Sequence, residues 1–364
     1  MADDLMGYLE RGVADVVREI VAATADDPRE TRFALAFAAA SKRATARRTR
    51  AERRGVHVPP FLICSIASRC NLHCSGCYAW TNCICDAHED PEQLCARDWE
   101  RIFAQASELG VSFALLAGGE PCLRPDVLEV AGGRKDMLFP VFTNGTLLDG
   151  EVLRLFDQHR NLVPVISVEG GEEETDARRG AGTYAAVAQG MQRLLSRRLL
   201  FGVSVTVTRD NLDLVIGRDF LDDLRRRGAR AVVFVEYVPF DGSRDLAIDE
   251  AGRERLAQGV LSLRRDFHDM VLISFPGDEA LSGGCLAAGR GFFHINARGG
   301  VEPCPFSPYS DTSLAECSLE EALDSPLFRR LRERGLLEGD HEGGCVLFAN
   351  EKEVRAALAH EAGE

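Results

Sequence analysis

The sequence predicts an α/β fold, a partial (β/α)6 barrel preceded by a helical segment and followed by a small cysteine-rich α+β extension. Three observations carry this expectation. Between residues 61 and 238 short apolar runs alternate with amphipathic stretches, as parallel strands do when helices cross over between them. Before residue 55 apolar residues recur only at helical intervals, and after residue 276 the chain turns rich in glycine and cysteine. A length of 364 residues suits a barrel of about 200–250 residues plus a smaller module. The expected segments are 1–55, 56–275 and 276–364.

Residues 4–24 place Leu5, Tyr8, Leu9, Val13, Val16, Val17, Ile20 and Val21 on one helical face. A second helix, rich in Ala and Arg, is expected over 29–54, stopped by Gly55 and Pro59-Pro60. The two helices read as a cover over one end of the barrel, with partner binding as the competing use. The basic run from Lys42 to Arg54 reads as a solvated helix face. Strands are expected at 61–66, 112–117, 138–142, 163–168, 202–208 and 231–238, with helices at 98–109, 125–131, 150–158, 184–197 and 212–227. A helix over 249–265 and a short strand at 271–274 close this region. Parallel sheets and barrels keep their working residues at the C-terminal strand ends.

Composition narrows the function. A formal charge of −14 argues against a nucleic-acid surface, which shows as basic excess. The longest apolar stretch near the N-terminus, 33–40, is far too short to span a membrane. Twelve cysteines behind a start that lacks a basic and apolar leader suggest a reducing cytosol and metal or redox chemistry, not a disulfide framework.

The loop after the first strand reads Cys70-Asn71-Leu72-His73-Cys74-Ser75-Gly76-Cys77-Tyr78. Three thiolates at C-x3-C-x2-C spacing can reach three irons of a cubane and leave the fourth open to the amine and carboxylate of a small molecule. His73 keeps a Cys3His zinc site open as an alternative, and unrelated buried thiols are the plainer one. After the second strand stands Gly118-Gly119-Glu120-Pro121, whose glycines let backbone approach a ligand and whose carboxylate can accept from an ammonium group. Thr143-Asn144-Gly145 follows the third strand and Ser167-Val168-Glu169-Gly170 the fourth. Each is also an ordinary turn sequence. Ser204 and Thr206 share one side of the fifth strand, and Glu236-Tyr237 ends the sixth, with Glu236 a candidate substrate contact.

In this order and spacing the segments resemble the radical S-adenosylmethionine (SAM) superfamily. The resemblance implies a partial TIM-like barrel in which Cys70, Cys74 and Cys77 hold a [4Fe-4S] cluster. SAM would chelate the open iron, and its reductive cleavage would release a 5′-deoxyadenosyl radical that abstracts hydrogen from substrate. It implies SAM contacts from Tyr78, Gly118, Gly119, Glu120, Pro121, Asn144, Ser167 and Glu169, and a pairing of Arg179, or of the adjacent Arg178, with the SAM carboxylate. Ser204 and Thr206 are expected to face the cofactor, and Tyr237 to contact adenine. Glu169 stands where aspartate is commoner in the family. An electron donor such as a ferredoxin or flavodoxin is implied as a partner.

The tail carries Cys285, Cys304, Cys317 and Cys345, with short strands on either side of 296–300 forming a hairpin. The run Cys285-x13-Gly299-x4-Cys304 resembles the opening of the SPASM and twitch extensions of radical SAM enzymes, which bind auxiliary iron–sulfur clusters. The denser cysteine array of full SPASM domains is absent, which implies one auxiliary cluster on Cys285, Cys304 and Cys345, with Cys317 unassigned. A zinc site on the same residues is the competing reading. Cys64 reads as a strand core residue, and Cys83 and Cys85 as loop thiols or as groups near the cluster. Such extensions often accompany peptide or protein modification, which makes that the expected substrate class. Oxidation of a small metabolite or tetrapyrrole side chain is the alternative, and a non-catalytic iron–sulfur or zinc scaffold the rival from another class.

Overall fold

Strand β1 (Phe61–Ala67) is buried along almost its whole length, as expected of an apolar run covered on both faces. Around it a computed structural model, which describes residues 2–24, 27–240, 242–277, 283–338 and 345–359, builds one sheet. Strands β2 (Phe113–Gly118), β3 (Phe139–Thr143), β4 (Leu162–Val168), β5 (Gly202–Val207), β6 (Ala231–Glu236) and β7 (Val271–Phe275) follow β1 in sequence order, each parallel to the last. The parallel unit therefore has seven strands. The short strand expected only to close the region pairs along all of its length with β6.

The hairpin of the extension, β8 (His294–Ile295) and β9 (Val301–Glu302), forms where the sequence placed it. It does not stand apart. β8 pairs parallel with β1, so the sheet runs β7-β6-β5-β4-β3-β2-β1-β8-β9 and the cysteine-rich tail continues the open edge of the barrel. An unpaired strand edge is a liability, and the hairpin covers it.

Pairing in register sorts the side chains into two faces. Ser65, Ala117, Phe142, Val165, Ser167, Ser204, Thr206, Val233, Val235 and Phe275 lie on one, the inner face, and His294 and Glu302 continue it. Val203, Val205, Val207 and Phe234 lie on the other and are buried against the helices. Glu236 shares that outer face with Val207. Its carboxylate meets Arg253 of the helix Glu250–Asp266 at 3.4 Å, so the reading of Glu236 as a substrate contact is corrected.

Helices α1 (Ala2–Ala23) and α2 (Pro28–Glu52) form as expected. Asp27 caps α2 by accepting from the Arg29 and Glu30 amides, and Pro28 takes the first position, where no amide is needed. Val13, Ile20, Ala34 and Phe37 pack with Phe113 and Leu138 at the starts of their strands. The pair thus covers the end of the sheet opposite the functional one. Within the basic run, Arg48 departs from the expected solvated face. It is fully buried, paired with Glu10 of α1 at 2.8 Å and bonded to Ser112 at 3.0 Å. The helix expected over 212–227 is broken into Leu212–Val215 and Arg218–Arg226, because Gly217 lies against the Leu214 carbonyl and turns the chain. Among the described residues no helix is long and apolar enough to cross a membrane.

Candidate functional site

The C-terminal end of β1 runs directly into the cysteine loop, and neighbouring strand ends grip that loop on three sides. Toward β2, the amides of Gly119 and Glu120 donate to the carbonyls of Ala67 and Arg69, both at 2.8 Å. A Cβ on Gly119 would overlap the Arg69 carbonyl, and Gly118 adopts φ 120°. The two glycines are required by this contact. Toward β3, Asn71 accepts from Asn144 Nδ2 at 2.8 Å and donates to Thr146 at 2.9 Å. Toward the helix Glu172–Arg179, the Ser75 amide donates to the Arg178 carbonyl at 2.9 Å. Tyr237 lies on the inner side, its ring so close to Gly76 that a Cβ there would meet it at 2.7 Å.

Cys70, Cys74 and Cys77 are half-buried along this loop. Burial, with Glu120, Cys74 and Cys77 adding, pushes the Cys70 thiol up to about 11. Burial also raises Cys74, while Arg179 and Arg178 oppose the rise. Cys70 and Cys74 are therefore held as thiols until a metal displaces their protons. Among the described residues no three His, Cys, Asp or Glu side chains gather around one point where a single ion would sit. A lone zinc would need such convergence, whereas cubane thiolates bind separate irons. His73 instead faces Trp80, ring centroids 4.4 Å apart.

The polar residues expected around SAM are all near this end, and they are bonded to one another. Glu120 is buried, and its carboxylate takes Thr143 Oγ1 at 2.6 Å, the Asn144 amide at 2.8 Å and the Cys122 amide at 3.0 Å. It ties the GGEP turn, with Pro121 opening a short 3-10 segment, to the third strand end. Glu169 takes Arg178 at 2.7 Å and Arg179 at 2.6 Å on one oxygen, and the Thr206 amide at 3.1 Å on the other. Arg178 also reaches Thr206 Oγ1, and Ser167 meets Ser204 at 3.1 Å across the inner face. Both arginines are thus beside Cys74, held by the acid expected among the SAM contacts. Asn211, which that reading passed over, fixes the turn from beneath by donating to the Glu169 and Thr206 carbonyls. No motif marked it.

The extension meets the loop through Tyr78. Its ring packs edge-on against Phe306 at 5.4 Å, and burial, together with Cys77, Cys85, Cys304 and Glu302, raises its hydroxyl. Phe306 continues to Phe240 at 5.4 Å and Phe275 at 6.2 Å, and Phe240 to Phe348 at 4.8 Å. Phe348 stands on the short helix that Cys345 opens. Cys285 and Cys304 are buried, and the Ala288 amide donates to the Pro303 carbonyl, drawing their two loops together. Beside Cys304, Ser307 Oγ is buried without a partner, so thiols and an orphaned donor together suit an iron–sulfur group. Cys317 lies elsewhere, among Glu321, Arg101 and Glu316.

Two further thiols have defined places. Cys85 is buried next to the loop, its thiol raised by burial and by Cys77, Cys70 and Cys74. Cys95 is exposed and bonded to Asp98. The sequence reading also passed over a chain of polar groups on the inner face. Ser65 meets His294 Nε2 at 2.7 Å, His294 Nδ1 meets Glu302 at 2.6 Å, and Asn296 donates to Glu302 at 2.6 Å. Only the pairing of β8 with β1 brings them together.

Residues 64–215, the span from β1 to the fifth crossover, match the model of the Radical SAM superfamily. The chain carries a radical SAM domain. Radical SAM enzymes use a [4Fe-4S] cluster and SAM. The AdoMet-dependent heme synthase of Methanosarcina barkeri (strain Fusaro / DSM 804) is 25% identical over 312 residues, covering 78% of this chain and 87% of that protein. Mycofactocin maturase MftC of Mycobacterium ulcerans (strain Agy99) is 27% identical over 301 residues, covering 77% and 78%. The fold is shared with Streptococcus suis SuiB, solved with S-adenosylmethionine at TM-score 0.66 and 18% identity, covering 82% of this chain and 75% of that one. SuiB solved with its precursor peptide SuiA gives TM-score 0.64 at 18% identity, covering 87% and 76%.

Proposed function

We propose that this radical SAM enzyme cleaves SAM reductively at a [4Fe-4S] cluster on Cys70, Cys74 and Cys77 and modifies a peptide or protein. The observation that carries the chemistry is the three-thiol loop, gripped by the GGEP and TNG strand ends on one side and by the Arg178 and Arg179 helix on the other. When bound, cluster and SAM supply one electron, from a ferredoxin or flavodoxin class of donor, and a 5′-deoxyadenosyl radical that takes a hydrogen atom from substrate.

The residues supply orientation and a dry site. Gly118 and Gly119 let backbone approach SAM, and Glu120 holds that backbone rigid. Arg179, charge-paired at Glu169 and close enough to Cys74 to act on its thiol, would offer its planar fork to the SAM carboxylate. Ser167, Ser204 and Thr206 face the nucleoside. Half-buried Phe240, Phe275 and Phe306 wall the strand ends against water. In the extension, Cys285, Cys304 and Cys345 hold one auxiliary iron–sulfur cluster, which three ligands would leave with an open iron. Twelve cysteines in a composition that favours metal and redox chemistry support a reducing cytoplasm as the compartment.

The peptide class is supported by the likeness to a mycofactocin maturase and by a fold shared with an enzyme solved on its precursor peptide. A second reading, oxidation of a tetrapyrrole side chain, is supported by the likeness to the heme synthase. One experiment separates them. The protein is purified without oxygen, its clusters rebuilt and reduced, and 5′-deoxyadenosine is quantified with size-fractionated extract of the source cells. Stimulation by the macromolecular fraction is expected. Stimulation by the low-mass fraction alone favours the tetrapyrrole, and iron or zinc binding with no cleavage under any condition sinks the enzymatic reading in favour of a scaffold.

A further inference from the structure

Ser307 holds a hydroxyl that has nowhere to donate. The residue is 1% exposed, and its Oγ has no hydrogen-bond partner among the described residues. Burying a hydroxyl in this state is costly, so such a group calls for a missing partner. The backbone around it is firmly set. The Ser307 amide donates to the Cys304 carbonyl at 2.9 Å, folding Cys304-Pro305-Phe306-Ser307 into a tight turn, and the Tyr309 amide donates to the Ser307 carbonyl at 2.8 Å. Phe306 is anchored on Tyr78, and Arg355 lies over the Tyr309 ring at 5.3 Å. The neighbours in the turn, Pro305, Phe306 and Pro308, bring no polar side chain to the hydroxyl.

We propose that Ser307 Oγ donates a hydrogen bond to a sulfur of the auxiliary cluster at Cys304 and raises that cluster's reduction potential. The proposal rests on the reading of Cys304 as a cluster ligand. Reduction adds negative charge to the cluster, and a fixed donor aimed at its sulfur favours the more negative state. The dry surroundings strengthen the effect, because little water competes with the bond. Ser307 is a tuning residue, acting through the cluster and not on substrate.

The test uses the full chain with Cys70, Cys74 and Cys77 replaced by Ala, so that any remaining iron–sulfur signal belongs to the extension. Iron and sulfide content and the midpoint potential, from a redox titration followed by electron paramagnetic resonance, are compared for Ser307, Ser307→Ala and Ser307→Thr. Equal iron is expected in all three, with a more negative potential in the Ala variant and a return toward the parent value in Thr. Thr retaining iron that Ala loses also counts for the hydroxyl, and loss in both counts against it. Equal iron with an unchanged potential in Ser307→Ala overturns the proposal alone. No iron–sulfur signal in the parent overturns the auxiliary-cluster reading, and this proposal with it.

Discussion

Gly119 shows how little freedom the site leaves at single positions. Its backbone lies against the Arg69 carbonyl, one residue before the first cysteine, and there is no space for a methyl group. Gly119→Ala is expected to cost about 1–3 kcal/mol, the range for overpacking a tight contact, and to lower iron retention. Gly133→Ala, which meets nothing within 4 Å, serves as the control, and denaturant midpoints with iron analysis check both. Cys74→Ala is expected to abolish 5′-deoxyadenosine formation while Cys304→Ala retains some uncoupled cleavage and forms no product. Full turnover by the Cys304 variant would remove the auxiliary cluster from the mechanism. The cysteines and glycines were legible from spacing alone because their chemistry tolerates few substitutes. The partners of Glu120 and Glu169 were not, since an acid in a turn gives no sign of which donors the fold will bring to it.

At the level of elements, strand alternation and helical periodicity marked the parallel strands, the N-terminal pair of helices and most of the crossover helices, and the departures have local causes. Gly217 splits one helix. Arg48 turns inward because its stem lies over the contact between α2 and the turn at Gly110, where Glu10 and Ser112 satisfy its head. Arg48→Ala is expected to destabilise by about 3 kcal/mol, the lower end for breaking a buried pair, as Glu10 remains partly exposed. Glu236 offers a pH test on the β6 face that meets the helix Glu250–Asp266. Burial raises its carboxyl from 4.5 to about 7 despite Arg253. The folded state therefore favours the protonated form, and the stability it contributes is present below pH 4.5 and is lost as pH rises through about 7. Glu236→Gln should flatten this slope, which urea midpoints at pH 5 and 7.5 would show. An unchanged slope would place the titration elsewhere.

For the whole molecule, the consequential feature is that the cysteine-rich tail joins the barrel sheet instead of sitting beside it. The Ser65, His294 and Glu302 contacts fasten the two on the inner face, within reach of Tyr78. Leaving buried hydrogen-bonding partners unpaired costs about 1–3 kcal/mol, so His294→Ala is expected to lose stability of that order and to loosen the extension. Faster limited proteolysis after residue 276, with the barrel intact, is the readout. A variant as resistant as the parent would mean that the hairpin is held by its backbone pairing alone. The sequence by itself determined the α/β class, the helical cover, the cysteine loop and the strand ends that serve it, because periodicity and metal-ligand spacing are local properties. Only the tertiary structure decided that Glu236 faces a helix, that Arg178 and Arg179 share one acid, and that the hairpin extends the barrel to meet Ser65. The first and last depend on how the strands pair and face, which brings together residues apart in the chain and leaves no mark in the sequence of either partner. The second depends on how the helix Glu172–Arg179 folds back over the strand end that precedes it.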